Sequence, residues 1–327
     1  MNDQSVKDRL KNLGRVKKKN FGELLIRYAI ERFLYRLSIS PHREHFILKG
    51  GALLYTLFEF SARVTKDIDV LAKHVSNSHA QICKIITDIC QIETDDALIF
   101  HAPHPQDIEK ITEEADYQGV RVKFNAFLGK SVIRLQMDIG FSDTPVPPPK
   151  EIRYPSLLSM ESPNLLGYSI EAVIAEKYQA IISLGEQNSR YKDFYDIWQL
   201  SRTYQIHGET LKEAISQTFM DRYTEFNMTI YQPNFHTEKE KYWRSFLQRI
   251  NAPINISFAE IMQDSKHSFF QYIIPVLNRY LFTINGIRQA GDKNNPRMSL
   301  ISAHTRIVYY ISASSCPRLN TLPMVPN

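Results

Sequence analysis

The run from Lys49 to Asp69, KGGALLYTLFEFSARVTKDID, restricts the possible folds of this chain more than any other stretch. Gly50 and Gly51 lack a Cβ, so they permit a tight turn that gathers backbone N–H groups around one point. Ala52 to Phe60 follows with helical apolar spacing, and the donors at the start of that helix point the same way as the turn. Ser61 to Lys66 then leads into Asp67-Ile68-Asp69-Val70-Leu71, whose alternation and β-branched residues predict a strand. A strand alternates its side chains, so Asp67 and Asp69 project from one face and Ile68 from the other.

Two carboxylates that close repel each other unless protons or cations compensate them. A hard divalent cation is the natural compensation, and oxygen ligands suit magnesium or manganese. The plainer reading is a charged strand end beside a turn. Asp138 lies in Leu135-Gln136-Met137-Asp138-Ile139, again on a strand-like alternation. If the two strands are neighbours, three carboxylates converge, and two metal ions could bridge them across an attacking hydroxyl and a phosphate. Asp138 is then the acid at the attacking oxygen and its base; otherwise it is a surface or capping acid. Asp143 is either a further ligand or a turn residue. These residues point to metal-assisted phosphate chemistry and stop short of a particular reaction.

The remaining pattern divides the chain. Phe21 to Leu37 and Val75 to Cys90 read as helices, and Phe46 to Leu48 as a short buried strand. Ala97 to Phe100, Gly119 to Phe127 and Val132 to Ile139 are β-like, and a small mixed or antiparallel sheet is their simplest home. Pro145, Pro147, Pro148, Pro149 and Pro155 then forbid a central strand and stop helices. Beyond them helices are predicted at Ser169–Leu184, Asp193–Tyr204, His207–Phe219, Glu238–Arg249 and Ser268–Tyr280. The expected class is α/β, of the α+β kind. A mixed sheet with flanking helices over residues 1–145 precedes a mostly helical domain over 156–327, and the cleft between them is completed by the second. The last 28 residues read either as a terminal strand with a tail or as poorly ordered chain.

Residues 171–200, EAVIAEKYQAIISLGEQNSRYKDFYDIWQL, form a second polar cluster. Lys177 falls on an apolar stripe with Ile170, Val173, Ile174 and Ile181, so it either snorkels outward or neutralises something buried, for which a triphosphate is a suitable partner. Asn188 and Ser189 can stop one element and cap the next. Asp193 can orient Lys177 or Arg190 by a salt bridge, with those cations meeting phosphate. Lys192 and Asp196 stand four apart and read as an ordinary surface pair. Tyr195 and Trp198 suit interdomain packing better than base stacking.

Charge and composition add bounds. The formal net charge is +5, and residues 1–19 alone carry +5, since seven basic residues face only Asp3 and Asp8. Such a leader either steers the protein toward a polyanion or is a solvated helix end with a flexible arm. Cys83, Cys90 and Cys316 form no CxxC pair, which fits a reducing cytoplasm. The N-terminus lacks the apolar core of a secretion signal, and no stretch approaches the roughly 18 to 20 apolar residues of a membrane span. A cytoplasmic protein with no membrane partner is expected.

Together FILKGGALL (46–54), RVTKDIDV (63–70), LQMDIGFSD (135–143), IAEKYQA (174–180) and SRYKDFYDIWQL (189–200) resemble the AbiEii/AbiGii family of bacterial nucleotidyltransferase toxins, within the DNA-polymerase-β-like superfamily. The resemblance implies magnesium-dependent transfer of a nucleoside monophosphate from an NTP to an acceptor hydroxyl, with pyrophosphate released. It also implies a cognate antitoxin encoded nearby and, by analogy with some relatives, tRNA as acceptor. Gly50 and Gly51 match the phosphate loop, Asp67 and Asp69 its metal-binding acids, and Asp138 the third carboxylate. Lys177 matches the lysine of the following helix, while Arg190, Lys192 and Asp193 match an RxKD cluster that contacts nucleotide and serves catalysis. Lys49 and Lys66, flanking these motifs, complete the expected nucleotide-binding set. Gly51 departs from the wider superfamily, where a serine commonly follows the first glycine. Other readings of the same residues are nucleotidylation of a protein or of a small molecule such as an antibiotic, a metal-dependent phosphohydrolase, or a noncatalytic nucleotide- or RNA-binding protein on the same fold. The oligomeric state and the preferred NTP are not written in these motifs.

Overall fold

Phe46, Ile47 and Leu48 are all buried, and so are Ile68, Val70 and Leu71. That continuous apolar content places both segments at the centre of a sheet covered on its faces. They form β1 (Phe46–Lys49) and β2 (Asp67–Ala72), paired antiparallel, with α3 (Gly50–Phe58) between them. The computed structural model describes residues 1–113, 117–141, 145–224, 230, 233–252 and 254–264. Asp143, Cys316, the helix expected at Ser268–Tyr280 and the last 28 residues lie outside them.

Chain order gives α1 (Asp3–Lys17), α2 (Phe21–Ile39), β1, α3, β2, α4 (His79–Cys90), β3 (Leu98–His101), β4 (Ile108–Glu113), β5 (Tyr117–Leu128) and β6 (Ser131–Gly140). Then come β7 (Lys150–Arg153), β8 (Asn164–Gly167), α5 (Ile170–Leu184), α6 (Tyr191–Thr203), α7 (Gly208–Asp221) and α8 (Pro233–Arg249). The described strands make one mixed sheet in the order β3-β5-β6-β2-β1-β8-β7. The long strand β5 is shared on its outer edge: residues 125–128 pair with β3 and residues 117–122 with β4. On its inner edge β5 pairs antiparallel with β6, which in turn runs parallel to β2.

The fold is therefore the expected mixed sheet with flanking helices, followed by a mostly helical region. The sheet is larger than a small one. It also continues past the proline segment, where β7 and β8 extend it through β1. Strands of four residues such as β7 and β8 leave almost no periodicity to read, and neither they nor the six-residue β4 are among the expected strands.

Two helices differ from their sequence reading. The basic N-terminal segment is an ordered helix, docked through Val6, Leu10 and Gly14, with an Arg9 Nη2 donating to the Leu158 carbonyl at 2.6 Å. Its cations Lys11, Arg15 and Lys17 are exposed, with Lys17 Nζ lying 5.1 Å from the Phe60 ring centroid. In α2 the apolar stripe is only part of the buried surface, since Arg27, Glu31, Arg32 and Arg36 are buried as well. Arg27 pairs with Glu23 and donates to the Ala62 carbonyl, while Glu31, Arg32 and Arg36 find partners in the 92–98 and 156–161 segments, far away in sequence.

The helical region has its own aromatic core. Tyr195 meets Trp243 at 6.4 Å and Phe246 at 6.0 Å between ring centroids, and Tyr191 packs edge-on to Phe258 at 5.9 Å. Tyr195 thus packs α6 against α8 and is buried there. Trp243 is fully buried with its Nε1 donating to the Ile256 carbonyl at 2.9 Å. Among the described residues, no helix is long and apolar enough to cross a membrane.

Candidate active site

The parallel register of β2 and β6 sets Asp69 opposite Asp138 and Asp67 opposite Gln136. Register partners on adjacent strands share a face, so the three carboxylates lie on one side of the sheet. The same row continues in both directions: Lys49 on β1 is opposite Asp69, and Arg121 on β5 is opposite Asp138. Four neighbouring strands thus present Arg121, Asp138, Asp69 and Lys49 in one line, two cations flanking two carboxylates.

The ends of this line are tied. Arg121 grips Asp138 with both arms, Nε to Oδ1 and Nη2 to Oδ2, each at 2.8 Å. The Asp138 carboxylate, in turn, holds the Arg121 guanidinium above its usual pKa. Lys49 Nζ lies 3.5 Å from Glu176 Oε2 on α5. Glu176 is also contacted by Arg222 at 3.0 Å and by the Tyr168 hydroxyl at 3.1 Å. Burial opposes the Glu176 charge, but Lys49 and Arg222 outweigh it and hold the carboxyl below its ordinary value.

Asp67 and Asp69 are in the opposite condition. Burial raises the Asp67 carboxyl, and the neighbouring Asp138 charge raises it further. Burial also raises Asp69, against the opposing pull of Lys49 and Lys192. Carboxylates displaced upward by burial and by one another mark a place short of positive charge. Their oxygen donors fit a hard divalent cation in kind. Asp138 is engaged by Arg121, and among the described residues no three His, Cys, Asp or Glu side chains converge closely enough to hold a metal ion. The expected three-carboxylate convergence is therefore one of strand register and face, not of oxygen atoms.

Gly50 and Gly51 begin α3 beside this row. Gly50 has φ +63°, and a Cβ there would stand 2.0 Å from Asp69 Oδ2, so backbone conformation and space both demand glycine. Gly51 N–H donates to Asp69 Oδ2 at 3.3 Å. A Cβ on Gly51 would fall 2.9 Å from the Cβ of Thr65. The serine found at this place in the wider superfamily thus has no room here, which gives the diglycine a local steric cause.

The second cluster closes the other side of the cleft. Lys177 Nζ lies 2.8 Å from Asp193 Oδ1 and 2.9 Å from Asp196 Oδ2. Arg190 Nε donates to Asp193 Oδ2 at 2.7 Å, and Arg63 holds Asp196 with both arms at 2.9 and 2.8 Å. The result is a chain, Arg63–Asp196–Lys177–Asp193–Arg190. Burial works against the Lys177 ammonium, yet the two aspartates keep it above the ordinary lysine value. Both aspartates are fully buried and are held below the ordinary carboxylate value by these cations, despite burial. Lys177 does not snorkel. Asp196 is not a surface partner of Lys192, because its side of α6 turns inward while Lys192 remains exposed. Arg190, not Ser189, is the residue preceding α6, and Asn188 Oδ1 accepts from the Arg190 N–H at 2.7 Å.

These groups surround a cleft of about 280 Å³ lined by Lys49, Gly50, Gly51, Asp69, Lys177, Arg190, Lys192 and Asp193 of the expected set, together with Arg63, Glu176 and Arg222. Asp67 and Asp138 stand beside it on the sheet, and Lys66 is exposed and outside its lining. Sequence reading missed Arg63, Arg121, Glu176 and Arg222. Arg63 and Glu176 sit inside the matched motifs, at the first position of RVTKDIDV and the third of IAEKYQA, and were overlooked there. Arg121 and Arg222 carry no local signal.

The family model described as nucleotidyl transferase AbiEii toxin, type IV TA system, matches residues 32–264. The chain belongs to this family. Its members are nucleotidyltransferase toxins, and nucleotidyl transfer is the activity this membership gives the protein in general terms. Among solved structures, MenT4, a nucleotidyltransferase toxin from Mycobacterium tuberculosis H37Rv, is similar with a TM-score of 0.46 and 12% identity, over 84% of this chain and 98% of that one. JHP933 from Helicobacter pylori is similar with a TM-score of 0.42 and 14% identity, over 79% of this chain and 94% of that one. No curated protein is similar enough in sequence to count as a relative.

Proposed function

We propose that this AbiEii-family protein transfers a nucleoside monophosphate from an NTP to the terminal hydroxyl of an RNA, with tRNA as the acceptor, in a reaction that needs magnesium or manganese. The observation that carries this reading is the line Arg121–Asp138–Asp69–Lys49 beside the Gly50–Gly51 helix start. It sets acids for a cation next to backbone donors for a phosphate. Asp67 and Asp69 would hold the cation, and Asp138 would join them on leaving Arg121. Bound there, the divalent cation supplies charge neutralisation at the phosphate oxygens and the departing pyrophosphate.

The chain's own groups do the rest. The acceptor oxygen bonds to the α-phosphorus as the bond from that phosphorus to the β-phosphate bridging oxygen breaks. The hydroxyl proton passes to Asp138. The Gly50–Gly51 N–H groups and Lys49 hold the phosphates, with Lys177, Arg190 and Lys192 facing them from α5 and α6. Asp193, buried under Lys177 and Arg190, fixes those two cations in place and acts as a positioning residue. A cognate antitoxin encoded nearby would restrain the activity in the cytoplasm.

The test uses the full chain with each labelled NTP, total RNA, total protein and small molecules, with magnesium or with EDTA. Label in tRNA, lost with EDTA and reduced by about 10²-fold or more in Asp67→Ala, Asp69→Ala and Asp138→Ala, is the expected result. Label in protein or in a small molecule redirects the acceptor. No metal-dependent label in any pool sinks the reading.

A further inference from the structure

A second pocket, of about 310 Å³, lies behind the wall of the first and shares Arg63, Arg190 and Lys192 with it. The two differ in charge. The cleft lining includes the acids Asp69, Glu176 and Asp193, whereas none of the residues lining the second pocket is acidic. Its fourth cation, Arg249, comes from the last turn of α8 and lies 5.7 Å from the Phe246 ring centroid. Phe246 and Ile250 supply an apolar side.

Within this group Arg63 and Arg190 already serve Asp196 and Asp193. Lys192 and Arg249 are exposed, and among the described residues neither forms an ion pair. A cation at the end of a helix is favourable by itself, so Arg249 alone would mean little. Convergence of the segment before β2, the start of α6 and the end of α8 on one acid-free pocket is a different matter. The charge of Lys192 also reaches Asp67 and Asp69, so the pocket adjoins the row of carboxylates where transfer is proposed.

We propose that this second pocket is the acceptor subsite and binds a backbone phosphate of the RNA strand whose terminal hydroxyl is nucleotidylated. The inference rests on the transfer reaction proposed above and adds where the acceptor is held. A polynucleotide always carries a phosphate next to its terminal nucleoside, so an anion accompanies the attacking hydroxyl at a fixed distance. A serine, threonine or tyrosine acceptor in a protein brings no such fixed anion. The donor triphosphate, held by Gly50, Gly51 and Lys49 in the first cleft, does not need Arg249.

Arg249 lines the second pocket and not the cleft, so Arg249→Glu tests it. Binding of a fluorescent single-stranded RNA with a free 3′ hydroxyl is measured on the full chain without NTP, for the wild type, Arg249→Glu and Lys241→Glu. Lys241 is an exposed cation on α8 that does not line the pocket. The RNA is expected to bind Arg249→Glu at least about tenfold more weakly, with a salt dependence lower by about one phosphate contact, while Lys241→Glu stays near the wild type. Where the wild type transfers label, the KM for RNA rises in Arg249→Glu and the KM for NTP stays constant. Unchanged RNA binding in Arg249→Glu, an equal loss in Lys241→Glu, a raised KM for NTP, or wild type that ignores RNA but binds polyglutamate through Arg249 would each overturn the subsite. Binding is read without turnover, so RNA binding through Arg249 with no transfer would discard the reaction and leave the pocket standing.

Discussion

Beneath α2, Asp96 accepts from Arg36 at 2.6 and 3.1 Å, from Arg32 at 3.1 Å, from the Thr94 hydroxyl at 2.7 Å and from the Leu98 N–H at 3.0 Å. At the cleft, Asp193 and Asp196 accept from Lys177, Arg190 and Arg63 over similar distances. Both clusters are buried ion networks, yet they end differently. Under α2, Arg32 and Arg36 face Glu31 and Asp96, two cations against two acids, and their other donors are taken up by the carbonyls of Glu161, Ile92 and Leu98. At the cleft Lys177, Arg190 and Arg63 surround Asp193 and Asp196, and the outer cation, Arg190, keeps 40% of its side chain exposed. A balanced, backbone-sealed network can only hold the fold. One whose outer cation is partly exposed and lines the cleft can also hold an anion.

The largest effect should separate them by stability. Asp96→Ala strands two fully buried guanidinium groups, so it should cost about 3–5 kcal/mol in urea unfolding, enough to threaten folding altogether. Asp193→Ala leaves Lys177 with Asp196 and Arg190 with solvent access, so its cost should be nearer about 1–3 kcal/mol, together with loss of transfer. Equal losses in the two variants would erase the distinction between a sealed network and an open one.

Arg190→Gln sharpens the open end. Because the side chain is partly exposed, its removal should change stability by under about 1 kcal/mol. The KM for NTP should rise severalfold, since a cation lining the cleft is gone. A loss of stability as large as that of Asp193→Ala, with KM unchanged, would make Arg190 a structural residue like Arg36.

The difference between the clusters also governs what could be read from sequence. Asp67, Asp69 and Asp138 were legible because period-2 alternation fixes a face, and Gly50–Gly51 because a Cβ-free pair signals a turn. The line they form needed only β2 and β6 to be neighbours. Lys177 and Asp193 were legible as helical positions with misplaced charge. Arg63–Asp196 spans 133 residues and Arg32–Asp96 spans 64, and local periodicity carries no information about such pairs. Asp196 was misread because four-residue spacing to Lys192 is as good a surface signal as any, and only the packing of α6 shows which of the two turns inward. Arg121 was invisible for a related reason: its partner is fixed by hairpin register, and on an exposed-looking strand it resembles any solvated arginine.

The smallest effect is the one whose sign matters most. Asp96 has its pKa lowered from the ordinary 3.8, because the paired arginines overcome burial. Its contribution to stability is therefore complete above that value and is lost as pH falls through the lower, folded one. Asp69 has its pKa raised from 3.8, so at neutral pH its charge in the metal-free fold is a net cost. That cost is relieved as pH falls through the raised folded value and has vanished below 3.8. Asp69→Asn in EDTA should accordingly melt no lower than the wild type at neutral pH, and the gap should close on acidification, although transfer is lost. Added magnesium should stabilise the wild type and leave Asp69→Asn nearly unmoved. Urea melts of both proteins across the acid range, with and without the cation, would show this directly. A destabilised Asp69→Asn at neutral pH without metal would mean that Lys49 and Gly51 already satisfy the carboxylate, and the cleft row would then belong with the sealed network under α2.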